Sequence, residues 1–91
     1  MTPAQLYALI KLNEEAGEIA QAKSKLDLWG ADAHDPRDPH ETPNIKLLQD
    51  ECGDIMAAIS LAVELGLFDE DELYCREIEK LWKMRREATN R

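Results

Sequence analysis

Four acids in this chain are spaced so that they could hold a divalent cation. A ten-residue pattern occurs twice, as Asn13-Glu14-Glu15-Ala16-Gly17-Glu18-Ile19-Ala20-Gln21-Ala22 and as Gln49-Asp50-Glu51-Cys52-Gly53-Asp54-Ile55-Met56-Ala57-Ala58. In each copy two carboxylates stand three residues apart, Glu15 with Glu18 and Glu51 with Asp54, a spacing that stacks them on one face of a helix. Hard cations such as Mg²⁺ and Mn²⁺ take oxygen ligands, and carboxylates supply both the oxygens and the counter-charge. A polyphosphate would complete the shell.

Acid-rich helix faces are often only solvated, so the direction of these side chains decides. At about 100° per residue, Leu48, Cys52, Ile55, Met56, Ile59, Ala62 and Val63 share one apolar arc, with Lys46, Gln49, Gly53, Ala57, Ser60 and Glu64 opposite. Glu51 falls inside that arc, between the directions of Ala58 and Ala62, and Asp54 lies between Leu47 and Leu61, whereas Asp50 sits at the polar edge. On the first helix Glu15 points beside Ala8, Ala22 and Leu26, with Glu18 at the margin. A carboxylate turned toward a core is protonated, paired with a cation or bound to metal. The few basic residues nearby cannot neutralise four, so Glu15, Glu18, Glu51 and Asp54 are expected to bind metal. Gly17 and Gly53 interrupt strong helix formers at about 1 kcal/mol each relative to Ala, and the matched cost suggests close backbone approach near the acids.

Three helices and one long connection must position these groups, in an all-α fold of a single domain, residues 1–91. Thr2-Pro3 offers an N-cap and a first-turn proline, Gln5 completes a capping box, and helical periodicity runs over about 3–28. The segment 29–42 opens on Trp29-Gly30, contains Pro36 and Pro39, and has no apolar period, so it should be an irregular, exposed loop. Thr42-Pro43 repeats the cap-plus-proline signal for a helix over about 43–65, stopped by Gly66. Asp69 with Glu72 makes a further capping box for a third helix over about 70–88. No strand pattern is present.

The formal net charge of −8 and a pI near 4.6 argue against nonspecific binding to nucleic acid or anionic membranes. No stretch reaches the length of a membrane span, and the N-terminus has no signal-peptide pattern. Cys52 and Cys75 form no CxxC pair and read as reduced thiols, which implies a cytoplasmic protein. Both histidines, His34 and His40, lie in the loop, away from the acids, which disfavours a di-iron centre of the Glu-x-x-His kind. Helix two is apolar over more than half its circumference, and helix three adds Leu73, Tyr74, Ile78, Leu81, Trp82 and Met84. One thin core in so small a domain rarely suffices, so self-association into a homodimer or homotetramer with bundle-like packing is expected.

Glu14-Glu15-Ala16-Gly17-Glu18 followed by Glu51-Cys52-Gly53-Asp54 resembles the EExxE...ExxD signature of the MazG-like, all-α nucleoside triphosphate pyrophosphohydrolases. The resemblance spans about residues 5 to 88. The thirty-two residues between Glu18 and Glu51 exceed the usual gap in that family, and the excess coincides with the Pro-rich loop. The resemblance implies Mg²⁺-dependent cleavage of a nucleoside triphosphate between its α and β phosphates, giving monophosphate and pyrophosphate, with Mn²⁺ as a substitute ion. It matches Glu15, Glu18, Glu51 and Asp54 to the family's metal ligands. Glu14, the remaining acid of the signature, is a further ligand, a general base or a solvated residue.

No glycine-rich phosphate loop is present, so metal and basic side chains would have to hold a triphosphate. Lys80 and Lys83 are the first candidates, followed by Arg85 and Arg86, with Lys23 and Lys25 behind them, although cations near a helix C-terminus also favour its dipole. Trp29 and His34 flank the connection and could hold the base, or Trp29 could close helix one as a core plug. Two other readings remain: phosphoribosyl-ATP pyrophosphohydrolase, which shares the architecture and the type of bond cleaved, and a non-enzymatic acidic helical interaction protein.

Overall fold

Each helix begins and ends where a local bond satisfies free backbone groups. In the computed structural model, which describes residues 1–91, α1 runs Pro3–Trp29, α2 Asn44–Glu64 and α3 Glu70–Thr89, with no strand. The expected helix bounds hold to within one residue. Thr2 Oγ accepts from the Gln5 amide at 3.1 Å and Gln5 Oε1 accepts from the Thr2 amide at 2.9 Å, completing the capping box. After α2, Gly66 takes φ 78°; its amide donates to Val63 O at 3.0 Å and the Leu67 amide donates to Ala62 O at 2.9 Å. That is the paired bond set of a Schellman stop, which requires a left-handed residue at this position.

Two start signals behave differently from expectation. Thr42 does not cap α2, because Pro43 is extended at φ −55° and ψ 140° and itself occupies the cap position, where it has no side-chain acceptor. Asp69 caps α3 by accepting from the Glu72 amide at 2.9 Å, but the Glu72 side chain returns no bond.

Helices α1 and α2 pack antiparallel. Gln5 Nε2 donates to Leu65 O at 2.9 Å, and at the other end Asn44 Nδ2 donates to Gly30 O at 2.9 Å and Lys25 O at 3.4 Å. Between these ties the apolar residues buried are Ala8, Ala22, Ala58 and Ala62, so the seam is built from methyl groups. Gly17 and Gly53 play no part in it: a Cβ at either would meet nothing within 4 Å. Each lies two residues beyond an inward acid, about 200° round the helix, and faces away, which corrects the close-approach reading of both glycines.

Helix α3 hardly touches this pair and buries none of its residues. The Cα trace measures 42 × 38 × 14 Å with a radius of gyration of 16.0 Å, against about 12 Å for a compact domain of this length. Its least dimension is one third of its longest. A domain core needs two packed layers, and one chain supplies one layer. Met56, Tyr74, Trp82 and Met84 are accordingly exposed.

Candidate metal centre

The alanines that build the seam also place the acids. Ala8 and Ala22 lie seven residues either side of Glu15, and Ala58 lies seven beyond Glu51; seven residues is close to two full turns. Glu15 and Glu51 therefore occupy the wheel position of the buried methyls. The antiparallel register then sets Glu15 level with Asp54 and Glu18 level with Glu51. One oxygen from each of Glu15, Glu18, Glu51 and Asp54 lies within 4.8 Å of all the others, a group that could hold a metal ion. Oxygens on opposite sides of a Mg²⁺ ion stand about 4.2 Å apart, twice its bond length, so small side-chain rotations would close the set.

Glu15 and Glu51 are half-buried while Glu18 and Asp54 are exposed. Glu15 Oε2 and Glu51 Oε2 are buried and accept no hydrogen bond. Unpaired buried oxygens are rare in folded proteins and require an explanation. Desolvation raises the Glu15 carboxyl above its usual range, the charges of Glu18 and Asp54 add to it, and Lys11 opposes. Glu51 is raised by desolvation first, then by hydrogen bonding with Glu18 and by the surrounding negative charge. Lys11 does not relieve this. Its Nζ pairs with Glu14 at 2.8 Å and stands 4.0 Å from Glu15. Glu14 itself is exposed, at the edge of the cluster and outside it. With two orphaned oxygens among its four carboxylates, the group could hold a metal ion, and its donors are the oxygens that hard cations take.

The segment between α1 and α2 is irregular and mostly exposed, as expected, but it is locked by hydrogen bonds around one buried carboxylate. Asp35 is buried. Its Oδ1 accepts from the Arg37 amide at 2.9 Å and Arg37 Nε at 3.0 Å, its Oδ2 accepts from the Arg37 guanidinium at 3.0 Å, and Lys25 Nζ approaches to 3.6 Å. Asp38 repeats the device, accepting from the His40 amide at 2.9 Å and the Thr42 amide at 3.0 Å. The sequence signal is Asp35-Pro36-Arg37-Asp38-Pro39-His40, two Asp-Pro-x units in which each carboxylate accepts an amide two residues on.

Three expected substrate groups gather at this lock. Lys25 pairs with Asp35, His34 Nδ1 lies 3.0 Å from Asp35 O, and Trp29, the last residue of α1, has the Arg37 guanidinium 5.8 Å from its ring centroid. Lys25 is seven residues beyond Glu18, on the same face and about 10 Å along α1. Lys80 and Lys83, by contrast, are exposed on α3, which stands apart from α1 and α2, so one protomer does not bring them to the acids. Asp35, Arg37 and Asn44 were not singled out in advance.

The Asp35 lock has a pH signature. Hydrogen bonds from Arg37 lower its carboxyl from 3.8 to about 2. Its contribution to stability is present above the unfolded value and is lost as pH falls toward the folded one. Asp35→Asn should therefore flatten the dependence of melting temperature on pH between about 4 and 2, as measured by circular dichroism. An unchanged acid profile would contradict the lock.

No helix is long and apolar enough to cross a membrane. Comparison of the chain with protein-family models, with curated proteins and with solved structures gives no match.

Proposed function

We propose that this chain is a Mg²⁺-dependent nucleoside triphosphate pyrophosphohydrolase of the MazG-like, all-α kind, cutting between the α and β phosphates. The observation that carries the reading is the pair of buried, unpartnered oxygens, Glu15 Oε2 and Glu51 Oε2, within a four-carboxylate cluster. Such a cluster neutralises nothing by itself and is served by a divalent cation, which would supply positive charge to phosphate oxygens and an acidified water. Glu15 and Glu51 hold their oxygens rigidly because the alanine seam fixes both helices, while Glu18 and Asp54 stand at the exposed rim where a triphosphate can enter. Glu14, beside Lys11, is placed to act as a base toward a water at that rim. Lys25 is a further cation on the face of α1 that carries Glu18, and Trp29 with His34 offers a ring surface and a hydrogen-bonding ring nitrogen for the base. Lys80 and Lys83 lie on α3, away from the acids of their own chain, and the exposed face of α3 fits a homodimer or homotetramer. The free thiols Cys52 and Cys75 suit a reducing, cytoplasmic setting.

Incubation with a panel of ribo- and deoxynucleoside triphosphates and Mg²⁺, followed by ion-exchange chromatography, tests the reading. Monophosphate and pyrophosphate are the expected products. Diphosphate with orthophosphate would contradict the bond assignment even at high activity, and no turnover by the folded protein would favour an acidic interaction protein. Light scattering at micromolar concentration should give a mass of at least two chains; a folded, active monomer would refute the oligomeric part.

A further inference from the structure

Helix α3 is the element whose chemistry the proposed reaction leaves unused. Taking Leu73 as zero and 100° per residue, Met84, Leu81, Tyr74, Ile78, Trp82 and Cys75 fall in one arc of about 200°. All are exposed, and Trp82 is 61% accessible. The polar residues divide along the helix. Residues 70–79 hold five acids and one base, and residues 80–89 hold four bases and one acid. The helix dipole accounts for Glu70, Asp71 and Glu72 in the first turn and Arg86 in the last. It does not account for Glu77 and Lys80 at mid-helix, which lie at about 40° and 340°, on the same side of the arc's centre line, and make no ion pair within the protomer.

We propose that α3 docks on α3 of a second copy of this chain, antiparallel, about a two-fold axis passing between Ile78 and Glu79. An antiparallel pair related by such an axis sets each flank of the stripe against the same flank of its twin. In that register Glu77 meets Lys80 of the second copy on one side of the stripe's centre line, and Asp71, within the stripe, meets Arg86 at its edge on the other, each twice by symmetry. The apolar positions interdigitate along the same stripe: Met84 stands level with Leu73 of the twin, Trp82 with Cys75, and Leu81 between Tyr74 and Ile78. A parallel pairing would instead set like charge against like, acid half on acid half. Charge and apolar pattern thus choose the same occupant and the same direction, and the 14 Å thickness of the protomer leaves the stripe open to it. The pairing goes beyond the hydrolase reading and holds whether or not the acids bind metal.

Two charge reversals, Glu77→Lys and Lys80→Glu, test it by sedimentation equilibrium, with circular dichroism to show that the helices persist. Each variant alone places like charges opposite each other twice, and its dimer dissociation constant is expected to rise by about three- to tenfold. Mixed together, the two variants should form a heterodimer at least as tight as wild type, because every flank pair is again of opposite sign. The double variant should likewise recover. Single variants as tight as wild type would overturn the antiparallel arrangement, and a mixture no tighter than its components would overturn the pairing of α3 with itself. A wild-type monomer at all concentrations would overturn both.

Discussion

Glu51→Gln is expected to abolish Mg²⁺-dependent hydrolysis while leaving all three helices in place. The substitution keeps the shape of the side chain and removes one charge and the stronger ligand, a loss worth several kcal/mol at a metal-assisted step, or about 100-fold or more in turnover. Near-normal activity would remove the four-acid assignment. The same variant has a second signature without metal. Glu15 and Glu51 are raised above the ordinary carboxyl range, so the folded chain holds protons there more tightly than the unfolded chain. Their contribution is favourable at low pH and declines as pH rises from about 4.5 through the raised values. Metal-free Glu51→Gln should therefore melt higher than metal-free wild type at neutral pH and show a shallower decline. Adding Mg²⁺ should raise the melting temperature of the wild type by mass action and leave the variant nearly unmoved.

Ala58→Leu should disrupt what Ala57→Leu leaves alone. Ala58 is buried in the seam one turn from Asp54, whereas its neighbour is exposed. Forcing a larger side chain between α1 and α2 costs about 1–3 kcal/mol, and surface substitutions normally stay within about 0.5 kcal/mol. The seam variant should also push the two acid pairs apart and weaken Mg²⁺ binding by about 10- to 100-fold, the scale seen when support for metal ligands is lost. Urea melts and a Mg²⁺ titration of both variants measure the contrast. Equal behaviour of the two would mean that the seam does not set the metal geometry.

The all-helical class and the acid cluster were legible because both rest on local periodicity. Three-residue spacing puts Glu15 with Glu18 and Glu51 with Asp54 in any helix, and the wheel directions of Ala8, Ala22, Ala58 and Ala62 had already been matched to the inward acids. Asp35 was hidden for a different reason. Its surroundings depend on Lys25, ten residues back along the chain, and on Arg37 folding onto it, while the loop offered only proline and polarity to read. Asn44 carries no signal in the sequence that sets it apart, although its Nδ2 is what fastens α2 to the end of α1. The glycines misled because a cost in helix propensity marks a position as unusual without saying which side of the helix it faces. The separation of α3 from the other helices could not be read either, since an amphipathic stripe has the same pattern whether its own chain or another covers it.

The seam of alanines makes the two helices unequal to the loop in what they can inherit. Deleting a single residue between Glu15 and Ala22 would turn one relative to the other by about 100° and swing the carboxylate out of the seam, whereas residues added at the exposed Glu41 leave the phase of both helices intact. Length variation should accumulate in the connection and be purged from α1 and α2, so that a library of random insertions and deletions sorts the chain into a tolerant middle and two intolerant arms.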